Sequence, residues 1–385
     1  MSGSPFGKPL APTVYLKRNA GRIAPLFLVI VLAVLLISGI VTMMNSIPLS
    51  IRTIYSYSKE FMGALSRGDA ALTPQLRSQI ESQAPVPVER LIECRGAPIS
   101  VISIVGKWRF AVLGLHEGDI TYFLDRMGAQ NLRGRLPEPG KPEVVVSENI
   151  ARNLRLQIGD ALLSPEDSEN YSPFEVKVVG IADAHRWFAV TSYEYLAENH
   201  FPPIDSLLVF ARTESEQRQL ESWALEAFKG QRAEILAWSK LEEETNDMFK
   251  ILYQILNLVI ASLVILVSLM MGLLINIYQN QRTVEYGLLQ AIGYTKKRLV
   301  ARALTETALI LIGSWVLGAA IAFGLLNFVE KRLFYPRAFM LDPTDLGAYL
   351  YTLPVPLAIL LVATVTVIGR FRRFDPVAIV ERRLV

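Results

Sequence analysis

Between Ile23 and Met44 the chain reads IAPLFLVIVLAVLLISGIVTMM, without one charged side chain. An apolar run of this length matches a helix crossing the bilayer hydrocarbon, which takes about 20 residues. Three further runs follow. Ile251–Tyr278 is uncharged, Ala303–Val329 carries one acid, Glu306, near its start, and Leu346–Gly369 contains Pro354 and Pro356. Prolines are tolerated in a membrane helix when its neighbours satisfy the freed carbonyls. The runs explain why only 19% of the 385 residues are charged, where soluble chains carry about a quarter. The first run exceeds the roughly 7–15-residue core of a signal peptide. No small-residue cleavage site follows it cleanly, so it reads as a retained helix with Pro25 in its first turn, where a missing N–H costs little.

Orientation follows from lysine and arginine in the short flanks, since such loops stay on the cytoplasmic side. Lys8, Lys17, Arg18 and Arg22 precede the first run. Arg282, Lys296, Lys297, Arg298 and Arg302 lie between the second and third, and Arg370, Arg372, Arg373, Arg382 and Arg383 follow the fourth. These flanks place both termini in the cytoplasm of a multi-pass inner (plasma) membrane protein. The expected order is a cytoplasmic interfacial segment (1–22), span one (23–44), an extracytoplasmic stalk and domain (45–250), span two (251–278) and a cytoplasmic loop (279–302). Span three (303–329), an extracytoplasmic loop (330–345), span four (346–369) and a cytoplasmic tail (370–385) complete it.

Within 45–250, Ile51, Ile54, Tyr55, Ser58, Phe61, Met62 and Leu65 recur at helical spacing, as do Trp238, Leu241, Thr245, Met248, Phe249 and Leu252. Both helices then continue out of the membrane as a stalk, or stand as two separate amphipathic helices. Between them the sequence is mixed α/β. Strand-like runs occur at Ile99–Val105, Val144–Val146, Phe174–Ile181 and Ser206–Phe210, and helical ones at Glu148–Leu156 and Glu214–Phe228. The expected fold is thus an α-helical membrane protein with four transmembrane helices plus a mixed α/β extracytoplasmic domain on a helical stalk.

The chemistry of the domain is sparse. His116, His185 and His200 lack metal-ligand spacing, and Asp183 with His185 reads as a polar loop. The single cysteine, Cys94, excludes an intrachain disulfide and a multi-cysteine metal site. Although Arg95 adjoins it, an inert thiol is expected. A binding or mechanical role suits the domain better than catalysis. No Gly-x-x-x-x-Gly-Lys-Ser/Thr loop occurs, so the chain is not expected to be an enzyme that hydrolyses ATP.

The loop Gln279–Leu299 reads QNQRTVEYGLLQAIGYTKKRL. It predicts a short helix with Val284, Leu288 and Ile292 on one face and Leu289 beside them. Gly293 is placed to end it. Such a stripe either lies in the membrane interface or docks a cytoplasmic partner. Glu306 has Arg302 four residues before it, and an ion pair orienting the helix end is favoured over a proton relay. Ala320 and Gly324 read as a site of close helix packing.

The run EYGLLQAIG (Glu285 to Gly293) resembles the coupling segment of the MacB/FtsX-like ABC permease family. Other matches follow the family's order along the whole chain. They are Gly134-Arg135 with EVVVSENIARNLRLQIGD (Glu143 to Asp160), Glu306 followed by Gly313, Gly318 and Gly324, Asp375-Pro376-Val377, and the basic segment Tyr15–Arg22. Tyr286 and Gln290 depart from the family's commoner residues, as does the ending Ala378-Ile379-Val380. The resemblance implies coupling to an ATPase through Glu285, Tyr286, Gly287, Leu288, Leu289, Ala291 and Gly293, with Arg302, Glu306, Gly313, Gly318 and Gly324 structural within the membrane. It implies no cofactor in this chain, with ATP and Mg bound by a separate cytoplasmic ABC ATPase. The further implied partners are a second permease chain in a homo- or heterodimer, a membrane-fusion adaptor and membrane lipids, with no nucleic acid. The function it implies is export or extraction of an amphipathic substrate by mechanical transmission. The alternatives are an FtsX-like regulator of a cell-wall hydrolase and a membrane receptor without an ATPase.

Overall fold

The computed structural model describes residues 18, 20–67, 69, 71–199, 201 and 205–372. The chain divides into two compact units. One comprises Met1–Met44, Ile251–Phe328 and Asp342–Val385, and the other Asn45–Lys250 and Val329–Leu341. His200, most of the basic N-terminal segment and the ending around Asp375-Pro376-Val377 lie outside the described residues.

In chain order the described elements begin with helix α1 (Ala20–Ile54), strand β1 (Met62–Leu65), α2 (Leu72–Gln83), β2 (Arg90–Ser103), β3 (Gly106–Leu115) and α3 (Glu117–Arg126). Then come β4 (Gln130–Gly134), β5 (Glu143–Ser147), α4 (Glu148–Leu154), β6 (Ala161–Leu163), β7 (Val176–Asp183), β8 (Ala189–Ser192), α5 (Tyr193–Glu198) and β9 (Asp205–Phe210). The last are α6 (Glu214–Ala227), β10 (Glu234–Leu236), α7 (Trp238–Gln281), α8 (Thr283–Ala291), α9 (Lys296–Val329), α10 (Leu346–Leu350) and α11 (Pro354–Arg372). Four helical segments are long and apolar enough to cross a membrane: Ile23–Ile54, Trp238–Gln281, Lys296–Arg337 and Leu346–Phe371.

In the membrane unit the spans share a core that includes Ile30, Val34 and Ile37 of α1, Met271 and Ile275 of α7, Ile310 and Leu311 of α9, and Val355, Ile359 and Ala363 of α11. Two glycines set how closely the helices approach. A Cβ on Gly318 would lie 3.0 Å from the Cβ of Val34, and one on Gly272 would lie 2.6 Å from Val362 Cγ1. Small residues at such crossings let backbones pack where lipid supplies no hydrophobic drive. Within the chain Ala320 and Gly324 are exposed, a Cβ on Gly324 would touch nothing within 4 Å, and Gly318 makes the close crossing. Gly313 makes only an ordinary approach, 3.8 Å to Phe27.

The fourth apolar run is not one helix. Asp345 caps α10 by accepting from the N–H of Gly347 at 2.9 Å, the chain turns at 351–353, and α11 restarts at Pro354. A proline has no N–H to give the preceding turn, and it biases the residue before it away from the helix. Thr352 fixes the break, accepting from Trp315 Nε1 at 2.8 Å and donating to the Tyr349 carbonyl.

The α/β unit holds a ten-stranded sheet in the order β10-β1-β9-β2-β3-β8-β5-β7-β4, with β6 paired to β7. Pairings are antiparallel except β3–β8 and β5–β7. The expected helix over Ile51–Leu65 is corrected. Helix α1 stops at Ile54, and Met62–Leu65 is a strand between β10 and β9. A strand covered on both faces is apolar throughout, and over one short window that run also satisfies helical spacing. Phe61 packs its ring against Phe123 and Phe210, which fixes the strand's entry. Helix α7, in contrast, is continuous from Trp238. The run Ile99–Val105 is the end of the longer β2, with Val105 in the hairpin turn and exposed. Gly134 needs its left-handed φ of +91°, since a Cβ there would lie 2.2 Å from the Val179 carbonyl oxygen.

Candidate functional site

The loop between the second and third spans folds as the short helix α8. Its end is a complete Schellman cap. Gly293, at φ +102°, donates its N–H to the Gln290 carbonyl at 3.0 Å, and Tyr294 donates to Leu289 at 3.0 Å. These bonds satisfy carbonyls that the helix end would otherwise leave open.

Two faces of α8 differ sharply. Tyr286 is buried in a cluster with Leu299 and Ala303 of α9 and Val367 and Phe371 of α11, with Leu289 and Tyr294 packed beside it. The Tyr286 and Phe371 rings meet edge-on at 5.3 Å. On the other side Val284 is 37%, Leu288 56% and Ile292 77% exposed. Lys296, Lys297 and Arg298 continue the exposed surface. The apolar stripe read from the sequence is therefore free of contacts that would bury it, while the residues between its members hold the helix in place.

What fixes α8 most firmly is a charged cluster around Arg282, the residue just before it. Arg282 and Glu306 are both almost fully buried and ion-paired. Glu306 also accepts from Arg302 Nε at 3.0 Å, and Arg282 Nε donates to Glu285 at 3.1 Å. The Arg282 guanidinium lies 4.9 Å from the Tyr286 ring centroid and 5.6 Å from that of Tyr278. Tyr286 in turn donates its hydroxyl to Gln279 Oε1 at 2.7 Å. Arg370 of α11 reaches Thr283 Oγ1 and the Asn276 carbonyl, each at 3.3 Å. A buried guanidinium is tolerated only when carboxylates and ring faces replace its water. The cluster thus ties the end of α7, the start of α8 and the start of α9.

Of the residues singled out in the sequence, Glu285, Leu288, Ala291 and Gly293 are exposed. Tyr286 and Gly287 are buried, and Leu289 is half-buried. Tyr286 therefore anchors the helix, and Val284, Leu288 and Ile292 are its exposed apolar residues. A Cβ on Gly287 would meet nothing within 4 Å, so no steric demand fixes glycine there. In the sequence Arg282 reads only as part of a basic flank. Its signals are its place four residues past the apolar run ending at Tyr278 and the need of an intramembrane Glu306 for cations.

Cys94 is buried, and burial pushes its thiol up to about 12, the chemistry of an inert cysteine. His116 Nδ1 lies 2.6 Å from Glu194, with its ring on Tyr193 at the surface. Among the described residues no group of histidine, cysteine and carboxylate side chains could hold a metal ion.

A four-span chain with a large domain after its first span and a short capped helix between its second and third has the layout of a permease-type membrane component. Residues 257–374 match the family model of the FtsX-like permease C-terminal domain, a stretch that includes α8 and the Arg282 cluster. The likeness to FtsX-like permeases is thus carried by this C-terminal stretch of the chain. Among solved structures, the periplasmic region of MacB from Actinobacillus actinomycetemcomitans is 13% identical, at a TM-score of 0.29, over 50% of this chain and 94% of that one. The extracellular domain of the noncanonic ABC-type transporter YknZ from Gram-positive bacteria is 11% identical, at 0.27, over 43% and 88%. No curated protein matches the sequence.

Proposed function

We propose that this chain is the permease subunit of an ABC transporter powered by a separate cytoplasmic ATPase, which binds ATP and Mg and docks on the exposed face of α8. One observation carries the reading. Val284, Leu288 and Ile292 form an exposed apolar stripe on a helix whose other face is locked by buried Tyr286 and the Arg282–Glu306 pair. A rigidly held helix with an unpartnered apolar stripe transmits force from whatever covers it. The basic residues from Lys296 to Arg298 support a cytoplasmic side for this helix. The domain between the first two spans is then extracytoplasmic and acts on an amphipathic substrate. A second permease chain completes the complex.

The test is purification of the tagged chain from native membranes, with an assay of ATP hydrolysis in what co-purifies. A stoichiometric ATPase whose stimulation is lost in Leu288→Asp, with membrane insertion kept, is expected. A chain that purifies alone in mild detergent with nucleotide present, or stimulation unchanged by Leu288→Asp, overturns the coupling reading.

A further inference from the structure

Most arginines of the α/β unit have a carboxylate partner. Arg90 pairs with Asp119, Arg95 with Asp205, Arg126 and Arg186 with Glu60, Arg133 with Glu148, and Arg135 with Glu143. Arg155, Arg332 and Arg337 have no ion pair among the described residues, yet all three line one cavity of about 420 Å³. Among the described residues its remaining lining is apolar, with no carboxylate, and includes Ile104, Leu333 and Phe339. Cavities of a few hundred Å³ are the usual size for a small ligand.

The cavity is built on a held backbone. Ile104 sits at the tip of the β2–β3 hairpin. Buried Asn153 of α4 accepts from the Ile102 N–H at 2.8 Å and donates to the carbonyls of Ile102 at 2.9 Å and Arg337 at 2.8 Å. One amide thus joins the hairpin, α4 and the segment that follows α9. Arg152 stacks on the Tyr335 ring at 4.5 Å. Glu330–Phe334 is a π-helical turn, and Phe339 donates back to the Phe334 carbonyl at 3.0 Å. Arg155 closes α4 in the left-handed region at φ +59°, a conformation that glycine or asparagine ordinarily takes. Strain of this kind persists where the surroundings impose it, and it accompanies functional sites.

We propose that this cavity binds the phosphate head of an anionic amphiphile, with Arg155, Arg332 and Arg337 around the phosphate and the acyl chain along Leu333, Phe339 and Ile104. Guanidinium groups match phosphate oxygens in pairs, and three cations around one space repel each other until an anion enters. Glu330, Lys331 and Arg332 follow directly on the apolar run of α9, so chain length holds this segment near the membrane surface. As a substrate site the cavity rests on the transport reading above. As a binding site it does not.

The experiment is calorimetric titration of the full chain in neutral detergent, without ATPase, so the outcome is independent of coupling. The probes are dioctanoyl phosphatidic acid, inorganic phosphate and dioctanoylglycerol. Binding of the phosphatidic acid is expected to exceed that of both others, and to fall by about tenfold in each of Arg332→Gln and Arg337→Gln, the worth of one charge-assisted contact. Arg212→Gln, at an exposed arginine elsewhere, should leave it unchanged. Neither Arg332 nor Arg337 has a side-chain partner among the described residues, so melting temperature should hold. Equal binding by the Arg332 and Arg337 variants overturns the site. Inorganic phosphate binding as tightly as the lipid overturns the amphiphile assignment.

Discussion

The chain on either side of the third span holds arginine in opposite ways. Before it, Arg282 is enclosed by Glu285, Glu306 and two tyrosine rings, with its charge matched on every side. After it, Arg332 and Arg337 join Arg155 around an open cavity with no carboxylate in its lining. The first arrangement fixes structure, because a matched buried charge has little left to offer a ligand. The second leaves its charge available and relies on packing elsewhere, through Asn153 and the Arg152–Tyr335 stack, to hold its shape. Burial and pairing together, more than the presence of arginine, separate a strut from a binding site.

Substitutions can break this contrast. The largest effect is expected from Arg282→Ala, which leaves Glu306 buried with one partner and should destabilise the chain by about 3–5 kcal/mol, read as a lower melting temperature in detergent. Arg282→Met with Glu306→Gln should recover part of that loss, since it removes both charges. Next comes Gly318→Leu, which forces α1 and α9 apart at Val34 and should cost about 1–3 kcal/mol in the same melt. Arg155→Gly should act the other way. It relieves the left-handed residue and should raise stability by about 0.5–1 kcal/mol while weakening phosphatidic acid binding. A gain in stability with a loss of binding is the signature of a residue kept for its ligand.

The smallest effect is a pH dependence. The Arg135 guanidinium bonded to Glu143 holds that carboxyl below its ordinary range. A depressed carboxylate pKa gives stability that is present above the ordinary value and lost as pH falls through the folded one. Arg135→Ala should therefore lower the melting temperature slightly at neutral pH, with the difference from the parent chain shrinking on acidification. A constant difference down to acid pH would mean that the pair contributes through packing alone.

Much of the architecture was legible because its signals are long. Four apolar spans, the short strand-like runs of β5 and β9 and the helical run of α6 each follow from one local rule. What was not legible depended on context. Met62–Leu65 became a strand because β9 and β10 lie on either side of it, which no window around Phe61 contains. The α10–α11 break is visible in Pro354, but its register depends on Trp315 reaching Thr352 from another helix. At α8, the stripe of Val284, Leu288 and Ile292 and the cap at Gly293 were readable from spacing. That Tyr286 faces inward and Arg282 anchors the helix follows only from α9 and α11 packing behind it.

What covers the exposed stripe of α8 separates a coupling helix from one lying in the membrane interface. The most direct measurement places a photo-crosslinking amino acid at Leu288, and in a second chain at Ile292, followed by irradiation in native membranes and identification of the adduct by mass spectrometry. A protein adduct with an ATPase at both positions, absent when the probe sits at buried Tyr286, is the predicted result. Adducts with lipid alone would place the stripe in the membrane interface and contradict the coupling claim.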